Sequence, residues 1–438
     1  MSRSSLDRDE RAEKAGLGNK NRIIQYQTAM MVTSAENMPP TIFISAGEAS
    51  GEHYGALLIA ALQKKLTASA QTASFTGMGG PRMRAAGLNC VVRSEEMAVM
   101  GLTEVVRHLP HIWREFRRLK KAIRRNPPSV AVLIDFPEIH FRLAEEFHRL
   151  GVPVIFFVSP QLWAWKKKRI RLVQKYIDRM LVIFPFEEAF YREHGVKAEF
   201  VGHPLAELPL PSISREDFAA ANGLDPAKTW IGLLPGSRPK EIRDLLPTIL
   251  QAAQKLTGSF EFIIPLAPTL NPAQREEVRR IVAEYGSGLT LRLIDDLGAE
   301  GAVGPTAGGA RAALLHARAS IVASGTATVE AALIGNPFVV VYRVSALTYA
   351  IAKRVVKVPH VAMANLIAGK RVVPELIQDD FTAENIVQQI KPLLPDGPAR
   401  QSMMEELQRV RGLLAKQSEG GAIERVAAIT MEILGSAL

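Results

Sequence analysis

The feature that most restricts the fold is an alternation of two sequence patterns that begins at Thr41. Short apolar runs such as TIFIS, at residues 41–45, alternate with longer segments such as YGALLIAALQKK, in which apolar residues recur at helical spacing. This strand-then-helix alternation predicts an α/β fold with a parallel sheet and helices on both faces. Such sheets bind ligands at the carboxyl ends of their strands.

The alternation occurs in two blocks. The segment LPLPSISRED, which starts at Leu208, has the Pro and Ser density of a linker, and a second set of strand–helix units follows it. A chain of 438 residues is long enough for two domains with a core each. We predict a disordered extension over residues 1–39, a first domain over 40–207, a second domain over 208–400 and C-terminal helices over 401–438.

The composition limits the possible classes of function. With 47% hydrophobic and 22% charged residues the chain resembles a soluble globular protein, and no apolar run reaches the ~18 residues of a membrane span. The single cysteine, Cys90, excludes an internal disulfide framework and fits a reducing cytoplasm. The first 40 residues lack the apolar core of a signal peptide. We predict a cytoplasmic protein, and its net charge of +10 indicates an anionic partner.

Residues 321–342, IVASGTATVEAALIGNPFVVVY, predict a strand, a Ser-Gly-Thr turn, a short helix and a second strand. Ser324, Thr326 and Thr328 are residue types that begin helices, and Gly325 has no side chain to keep a ligand from the backbone. The free NH groups at a helix start bind anions such as phosphate. Glu330, one turn further on, can face a sugar hydroxyl or can be favoured there by the helix dipole alone.

A second turn of this kind follows the strand of TWIGLLPGSRPKEIRDL. The strand ends at Gly236, Ser237 and Arg238, and a helix is predicted to start near Pro239. The guanidinium of Arg238 can make bidentate contacts with phosphate. Further along the chain, Asn365 lies in a loop-rich region and is predicted to point back into the cleft between the domains.

Asp135 ends the apolar strand SVAVLID. Catalytic groups gather at this position in parallel sheets, and burial there would raise the pKa of a carboxyl group towards that of a useful general base. The alternative is that Asp135 only ends the strand and caps the next turn.

Residues 103–125 predict a strongly basic amphipathic helix. Such a helix can lie on an anionic membrane, or it can pack its apolar face on the sheet with its charges in solvent. The nearby Met97, Val99 and Met100 are predicted to be exposed beside it. Its apolar positions recur every three or four residues, at Val105, Val106, Leu109, Ile112, Phe116, Leu119 and Ile123.

Trp163 and Trp165 stand directly before a basic run that starts at Lys166. Aromatic and basic residues together can hold single-stranded nucleic acid. Here they lie between two apolar strands without an RNA-binding signature. We therefore predict no nucleic-acid partner.

Several stretches together resemble one family, the lipid A disaccharide synthases, which are inverting glycosyltransferases. The resemblance implies two Rossmann-like domains of GT-B type that face each other across a cleft, with C-terminal helices that pack back on the first domain. The stretches run in the family's order from about Thr41 to Pro374: SAGEASGE, GMGGPRM, EEMAVMGLTEV, LIDFPE, SPQLWAWKKKR, PFE, VGHP, LLPGSR, ASGTATVE and ANLIAG.

The resemblance implies a reaction and a set of donor residues. The family transfers 2,3-diacylglucosamine from its UDP donor to the 6-hydroxyl of 2,3-diacylglucosamine 1-phosphate, known as lipid X, and releases UDP. Its essential carboxylate falls on Asp135, as the base for the acceptor hydroxyl. Its donor site falls on the turn of Gly236, Ser237 and Arg238, on Ser324, Gly325, Thr326 and Thr328 at the diphosphate, on Glu330 at the ribose, and on Asn365.

The resemblance also implies an acceptor and lipid side and a membrane partner. Both substrates carry acyl chains, so the enzyme is expected at the anionic cytoplasmic face of the inner membrane of a Gram-negative bacterium, as a monomer or homodimer. No cofactor or metal is expected, because the only D-x-D match, Asp7-Arg8-Asp9, lies in the polar tail. The residues assigned to the acceptor and lipid side are Glu48, Ser50, Gly51, Met97, Val99, Met100, Trp163 and Trp165.

Three positions depart from the family's common pattern. The chain has Glu52 where the family commonly has Asp, and Glu138 and His140 where it often has an acidic residue and Asn. The same fold also serves UDP-N-acetylglucosamine 2-epimerases and the peptidoglycan transferase that acts on lipid I, so both are alternative functions. A non-catalytic membrane or nucleic-acid binding module is a more distant alternative.

Overall fold

A computed structural model of the chain describes residues 39–97, 102–295, 309–345, 348–350, 353, 358–415 and 420–436, with backbone alone at residues 49 and 102–109. The predicted extension, apart from residue 39, lies outside these residues, and so do Val99 and Met100.

The first domain is built on a sheet of seven parallel strands in the order β3-β2-β1-β4-β5-β6-β7. All five residues of β4 are buried, as expected of a strand with helices on both sides. The strands are β1 (Thr41–Ala46), β2 (Ser74–Gly79), β3 (Asn89–Arg93), β4 (Val130–Ile134), β5 (Val154–Phe157), β6 (Arg179–Val182) and β7 (Ala198–Phe200).

The helices of this domain follow the strands as the alternation predicts. They are α1 (Ala49–Ala68), α2 (Pro81–Ala85), α3 (Ser94–Met97), α4 (Leu102–Arg125), α5 (Pro137–Arg149), α6 (Ile170–Tyr176) and α7 (Pro185–Glu193), with 3-10 turns at Lys167–Arg169 and Pro204–Glu207.

The second domain repeats the plan with six parallel strands in the order β10-β9-β8-β11-β12-β13. The strands are β8 (Thr229–Leu234), β9 (Phe260–Leu266), β10 (Leu291–Asp295), β11 (Ala319–Ala323), β12 (Phe338–Tyr342) and β13 (Glu375–Ile377). Its described helices are α8 (Arg215–Asn222), α9 (Pro239–Lys255), α10 (Pro272–Tyr285), α11 (Gly309–His316), α12 (Thr326–Ile334), α13 (Met363–Ala368) and α14 (Ala383–Ile390), with 3-10 turns at Gln378–Asp380 and Lys391–Leu393.

Each sheet has one point where the strand order reverses. In the first sheet the chain leaves β1 towards β2 and β3 and then returns to the other side of β1 as β4. In the second sheet it leaves β8 towards β9 and β10 and returns as β11. The crevices at the carboxyl ends of these two strand pairs are where open α/β sheets bind ligands.

The two C-terminal helices have different partners. Helix α15 (Pro398–Leu414) packs on α12 and α13 and so stays with the second domain, whereas α16 (Ala422–Ser436) packs on α1 of the first. Lys65 of α1 pairs with Glu424 at 3.2 Å, and Nε of Arg425 donates to the Val201 carbonyl at 2.7 Å. The prediction that the C-terminal helices pack back on the first domain is confirmed for α16, whereas α15 touches that domain only at its end, where the Leu414 carbonyl accepts the NH of His203 at 3.0 Å.

Candidate active site

A cavity of about 290 Å³ lies at the carboxyl ends of β8 and β11. It occupies the reversal point of the second sheet. Seven residues predicted from the sequence line it together: Gly236, Ser237, Arg238, Ser324, Gly325, Thr326 and Glu330.

The two glycines give this cavity its shape. Gly325 has φ of 145° and is the residue from which α12 starts, with open space where a side chain would be. Gly236 has φ of 112°, and a Cβ there would lie 2.6 Å from the Glu241 carboxylate. Both backbones adopt conformations that residues with side chains rarely take. The start of α12 therefore faces the cavity without a side chain at Gly325 to block it, which suits an anion.

Thr328 has a different role from the predicted one. Its side chain is fully buried, and its hydroxyl donates to the Gly325 carbonyl at 2.7 Å. The prediction that Thr328 contacts a diphosphate is wrong, because its only polar side-chain atom holds the turn that precedes α12.

Asn365 does not point into the cleft, so that prediction is wrong too. Its side chain is fully buried, and its amide NH2 donates to the Val373 carbonyl at 2.9 Å and to Glu375 at 2.7 Å. Its carbonyl accepts the NH groups of Val372 and Val373 at 2.7 and 2.9 Å. Asn365 thus ties α13 to the segment that enters β13.

The two domains meet through the loops that follow β1 and β8. Glu48 lies 4.0 Å from the guanidinium of Arg238. Burial raises the pKa of the Tyr54 phenol, and the charges of Glu330 and Asp135 raise it further. The pKa of Tyr54, a residue of the first domain, is therefore raised by one carboxylate from each side of the cleft.

Asp135 follows β4 at the reversal point of the first sheet. Burial raises the pKa of its carboxyl group to about 7, with added effects from the charges of Glu48 and Glu138. Helix α5 has Phe136 as its N-cap and no side-chain cap. A hydrogen bond from the Phe136 NH partly lowers this pKa and fits the alternative that Asp135 caps the turn, whereas the raised pKa suits a general base near neutral pH, so the catalytic role stays a prediction.

Two buried polar residues near Asp135 were not predicted from the sequence. The ring of His140 contacts the Asp135 carbonyl at 2.5 Å through Nδ1 and the Ser45 hydroxyl at 2.8 Å through Nε2. Both residues are fully buried. The available signal was that His140 lies between apolar residues on the inward face of a helix that starts directly after Asp135.

Three residues at the start of α1 differ in exposure. Gly51 is buried, and an added Cβ would lie in ordinary contact, 3.5 Å from Ala46 and Ile134. Ser50 is partly exposed. Glu52 is buried and accepts the NH of Arg82 at 2.6 Å, so it anchors the start of α2.

Glu138 connects the loop that follows β4 to the basic run that starts at Lys166. It accepts from Lys166 at 3.2 Å and from Arg169 at 3.0 Å. Burial alone would raise the pKa of its carboxyl group, but these two hydrogen bonds and the two positive charges lower it. Glu138 is therefore ionised beside Asp135 and positions the start of the basic run.

The predicted lipid-side residues divide into buried and exposed ones. Met97 is 4% exposed and packs in the core, so its predicted exposure is wrong. Trp163 is partly buried and donates to Glu187 at 3.2 Å, while burial raises the pKa of that carboxyl group to about 8. Trp165 is 43% exposed, with the Lys166 ammonium 4.0 Å from its ring centre.

The described side chains of α4 favour packing for its apolar face. Phe116, Leu119 and Ile123 are buried against the first sheet. On the opposite side an exposed stripe runs at four-residue spacing through Trp113, Arg117, Lys121 and Arg125, with the Arg117 guanidinium 5.2 Å from the Trp113 ring. We call these four residues the α4 stripe. The helix thus packs on the sheet and also presents a basic surface with one large aromatic residue.

Among the described residues, one group has metal-ligand spacing: Glu96, His111 and Glu115 lie within 4.8 Å of one another. Arg114 and Arg118 already pair with Glu115 at 3.2 and 3.4 Å, which disfavours a cation. In the same part of the chain, no helix is both long enough and apolar enough to cross a bilayer.

Comparison with solved structures confirms the fold. A UDP-GlcNAc 2-epimerase from Neisseria meningitidis, solved bound to UDP-GlcNAc, superposes with a TM-score of 0.54 at 13% identity over 90% of this chain and 99% of its own. The calicheamicin glycosyltransferase CalG4 gives 0.54 at 18% identity over 91% and 98%. The arrangement is the GT-B type, as the resemblance implied.

Sequence comparison identifies the family. The family model described as lipid-A-disaccharide synthetase matches residues 42–427. The lipid-A-disaccharide synthase of Acidobacterium capsulatum is 60% identical over 395 residues, which covers 90% of this chain and 96% of the relative. That of Koribacter versatilis is 47% identical over 393 residues, covering 90% and 98%. The chain, with a donor-type cavity and the Asp135 carboxyl group at two facing reversal points, therefore belongs to the lipid-A-disaccharide synthase family of glycosyltransferases.

Proposed function

We propose that this enzyme transfers 2,3-diacylglucosamine from its UDP donor to the 6-hydroxyl of 2,3-diacylglucosamine 1-phosphate. The products are the β-1,6-linked disaccharide 1-phosphate and UDP. The observation that carries the proposal is the position of Asp135, a carboxyl group with a pKa of about 7, at one reversal point while the donor-type cavity occupies the other.

The cavity of the second domain takes the UDP part of the donor. The NH groups at the start of α12 and the side chains of Ser324, Thr326, Ser237 and Arg238 bind the diphosphate. Glu330, one turn into α12 on the cavity wall, accepts from the ribose hydroxyls. The other reading, in which Glu330 is placed there by the helix dipole, predicts no loss of UDP affinity in Glu330→Gln.

Asp135 acts as the base on the acceptor. Its carboxylate takes the proton of the 6-hydroxyl while that oxygen attacks the anomeric carbon and the bond from this carbon to the UDP oxygen breaks. The attack and the departure take place on opposite faces of the sugar, which inverts the anomeric configuration. The negative charge that develops on UDP lies at the start of α12 and at Arg238.

These positive groups lead us to propose a reaction without a metal. Full turnover in the presence of a chelator is the expected result. Loss of turnover that a divalent ion restores would overturn this part of the proposal.

The acylated substrates place the enzyme at a membrane surface. The α4 stripe and the exposed Trp165 with Lys166 supply cations and aromatic rings, which suit an anionic headgroup layer. We propose peripheral binding at the cytoplasmic face of the inner membrane. Met97 is not part of the proposed contact surface because its side chain is buried.

The experiment is an assay of purified protein with the two acylated precursors, with products identified by mass spectrometry. Wild-type protein is expected to form one disaccharide and one UDP per turnover. Asp135→Asn is expected to lower kcat by at least about 100-fold while the Kd for UDP is unchanged. Near wild-type turnover in Asp135→Asn would overturn the base assignment, and conversion of the UDP-sugar without acceptor would indicate an epimerase instead.

A further inference from the structure

The loop that carries Asp135 has an unusual backbone. Asp135 and Phe136 have φ of 51° and 52°, so two consecutive residues with side chains lie in the left-handed region. A residue with a side chain is strained in this region and persists there only where its surroundings hold it. The structure must therefore contain groups that fix this turn.

One of these groups is the ring of Phe136. It lies over Gly47, where an added Cβ would be 2.4 Å from the ring atoms. The absence of a side chain at Gly47 lets the ring dock there and connects the Asp135 loop with the β1 loop that carries Glu48.

The second group is His140, one turn into α5. Nδ1 lies 2.5 Å from the Asp135 carbonyl oxygen, which can only accept, so Nδ1 carries the proton and donates. Nε2 is then an acceptor and takes the hydrogen bond of the Ser45 hydroxyl at 2.8 Å. The ring is fully buried, and burial lowers the pKa of His140 to about 4, so the imidazole is neutral at working pH.

We propose that His140 is a positioning residue for Asp135: with Ser45 it clamps the carbonyl of the left-handed turn and thereby fixes the direction of the Asp135 carboxylate. This inference rests on the proposed role of Asp135 as base. His140 is not a proton relay, because its ring bonds the backbone carbonyl and the Ser45 hydroxyl rather than the carboxylate.

The clamp predicts a graded series of variants. His140→Phe keeps a ring in the pocket but cannot donate to the carbonyl, and it is expected to lower kcat by about 10- to 100-fold, since misplacement of a catalytic group by an ångström has effects of that size. His140→Asn retains a donor for the carbonyl but is too short to bond Ser45 as well, so its kcat is expected to lie between those of wild type and His140→Phe. Ser45→Ala, which leaves Nε2 without its donor, is expected to give a smaller loss.

KM for the acceptor and Kd for UDP are expected to stay within about twofold, because neither substrate is held by the clamp. The matched control is His148→Asn, which changes an exposed histidine of the same helix and is expected to match wild type.

The pH profile separates positioning from simple stability. The acid limb of the kcat/KM profile is set by the ionisation of Asp135. Glu48, Glu138 and Tyr54 face its carboxyl group, and its pKa is about 7, mainly because of burial. If the turn relaxes in His140→Phe, the carboxylate gains water and its pKa falls, so the acid limb is expected to move to lower pH. His148→Asn is expected to leave the limb in place.

Thermal midpoints and UDP binding show which molecules are folded. If folded His140→Phe and His140→Asn both turn over at the wild-type rate with the wild-type pH profile, His140 is only a packing residue and the proposal is wrong, while the base assignment stands. If Asp135→Asn keeps wild-type turnover, the base assignment itself fails and the clamp has no catalytic group to position. Loss of kcat with a moved acid limb and intact UDP affinity supports the clamp.

Discussion

Asp135 lies near the carboxylates of Glu48 and Glu138, whose negative charges are offset to different degrees by neighbouring cations. Glu138 is held by Lys166 and Arg169, whereas the ion pair of Glu48 among the described residues is with Arg238 at 4.0 Å, across the cleft. Arg238 also lines the cavity proposed for UDP. The negative charge of Glu48 therefore acts on Asp135 with less compensation than that of Glu138.

This imbalance predicts a pH effect. The Glu48 charge disfavours a second nearby anion and so raises the pKa of Asp135. In Glu48→Gln the pKa of Asp135 falls, a larger fraction is ionised at acidic pH, and the acid limb of the kcat/KM profile is expected to move to lower pH.

The profile is measured from about pH 5 to 9 with the two acylated precursors. The control is Glu145→Gln, which removes a carboxylate on the far part of α5, and it is expected to leave the limb unchanged. A limb that stays in place in both variants would show that Glu48 does not influence Asp135.

Asn365 illustrates what residue patterns do and do not reveal. The sequence could place Asp135 and Gly325 because both stand at the ends of apolar strands, and strand ends in a parallel sheet share one edge. The direction of the Asn365 side chain depends on the NH groups of Val372 and Val373, and the burial of Met97 depends on residues of other helices. No local pattern contains those contacts.

The amide of Asn365 predicts a stability effect. In Asn365→Ala the buried NH of Val373 and the partly buried NH of Val372 lose their acceptor, so the free energy of unfolding is expected to fall by about 1–3 kcal/mol. Denaturant titration measures the loss, and UDP affinity of the folded variant is expected to be close to wild type. If Asn365→Ala has wild-type stability but no longer binds UDP, Asn365 belongs to the donor site as first predicted.

At the scale of elements, α4 combines two surfaces that the sequence left as alternatives. Its spacing predicted an apolar face, but spacing alone does not say whether protein or lipid covers that face. Phe116, Leu119 and Ile123 pack on the sheet. We therefore assign the proposed membrane contact to the α4 stripe on the other side of the helix.

The α4 stripe predicts charge-dependent membrane binding. Arg117→Glu with Lys121→Glu is expected to weaken binding to vesicles that contain phosphatidylglycerol by at least about tenfold, because each surface cation contributes roughly 1 kcal/mol near an anionic bilayer. Co-sedimentation at physiological salt measures the change. UDP affinity is expected to be unaffected.

The matched control changes the same charge on the second domain. Arg279→Glu with Arg280→Glu alters two exposed arginines of α10 and is expected to leave vesicle binding nearly unchanged. Equal losses in the two double variants would mean that overall charge, and not the α4 stripe, drives the binding.

At the scale of the whole molecule, the chain passes between the domains twice. The linker after residue 207 leads into the second domain, and α16 returns to α1 of the first. The repeated strand–helix plan made two domains predictable. The partner of α16 could not be read from its apolar spacing, which requires only that some apolar surface covers it.

Packing of α16 on α1 predicts a contrast between two substitutions. Val426 is fully buried, so Val426→Asp places a charge without a partner in the core and is expected to lower the thermal midpoint by several degrees. Ala428 is exposed on the same helix, and Ala428→Asp is expected to leave the midpoint nearly unchanged. Differential scanning fluorimetry with and without UDP compares them, and equal midpoints for the two variants would contradict this packing.

The return of α16 also sets an order of events during synthesis. Translation delivers the strands and helices of the first domain first, but the helix that covers α1 is made only after the whole second domain. Until then the growing chain carries an uncovered apolar face on α1. The first domain therefore reaches its final packing only after the second domain has been synthesised, when α16 becomes available to dock on α1.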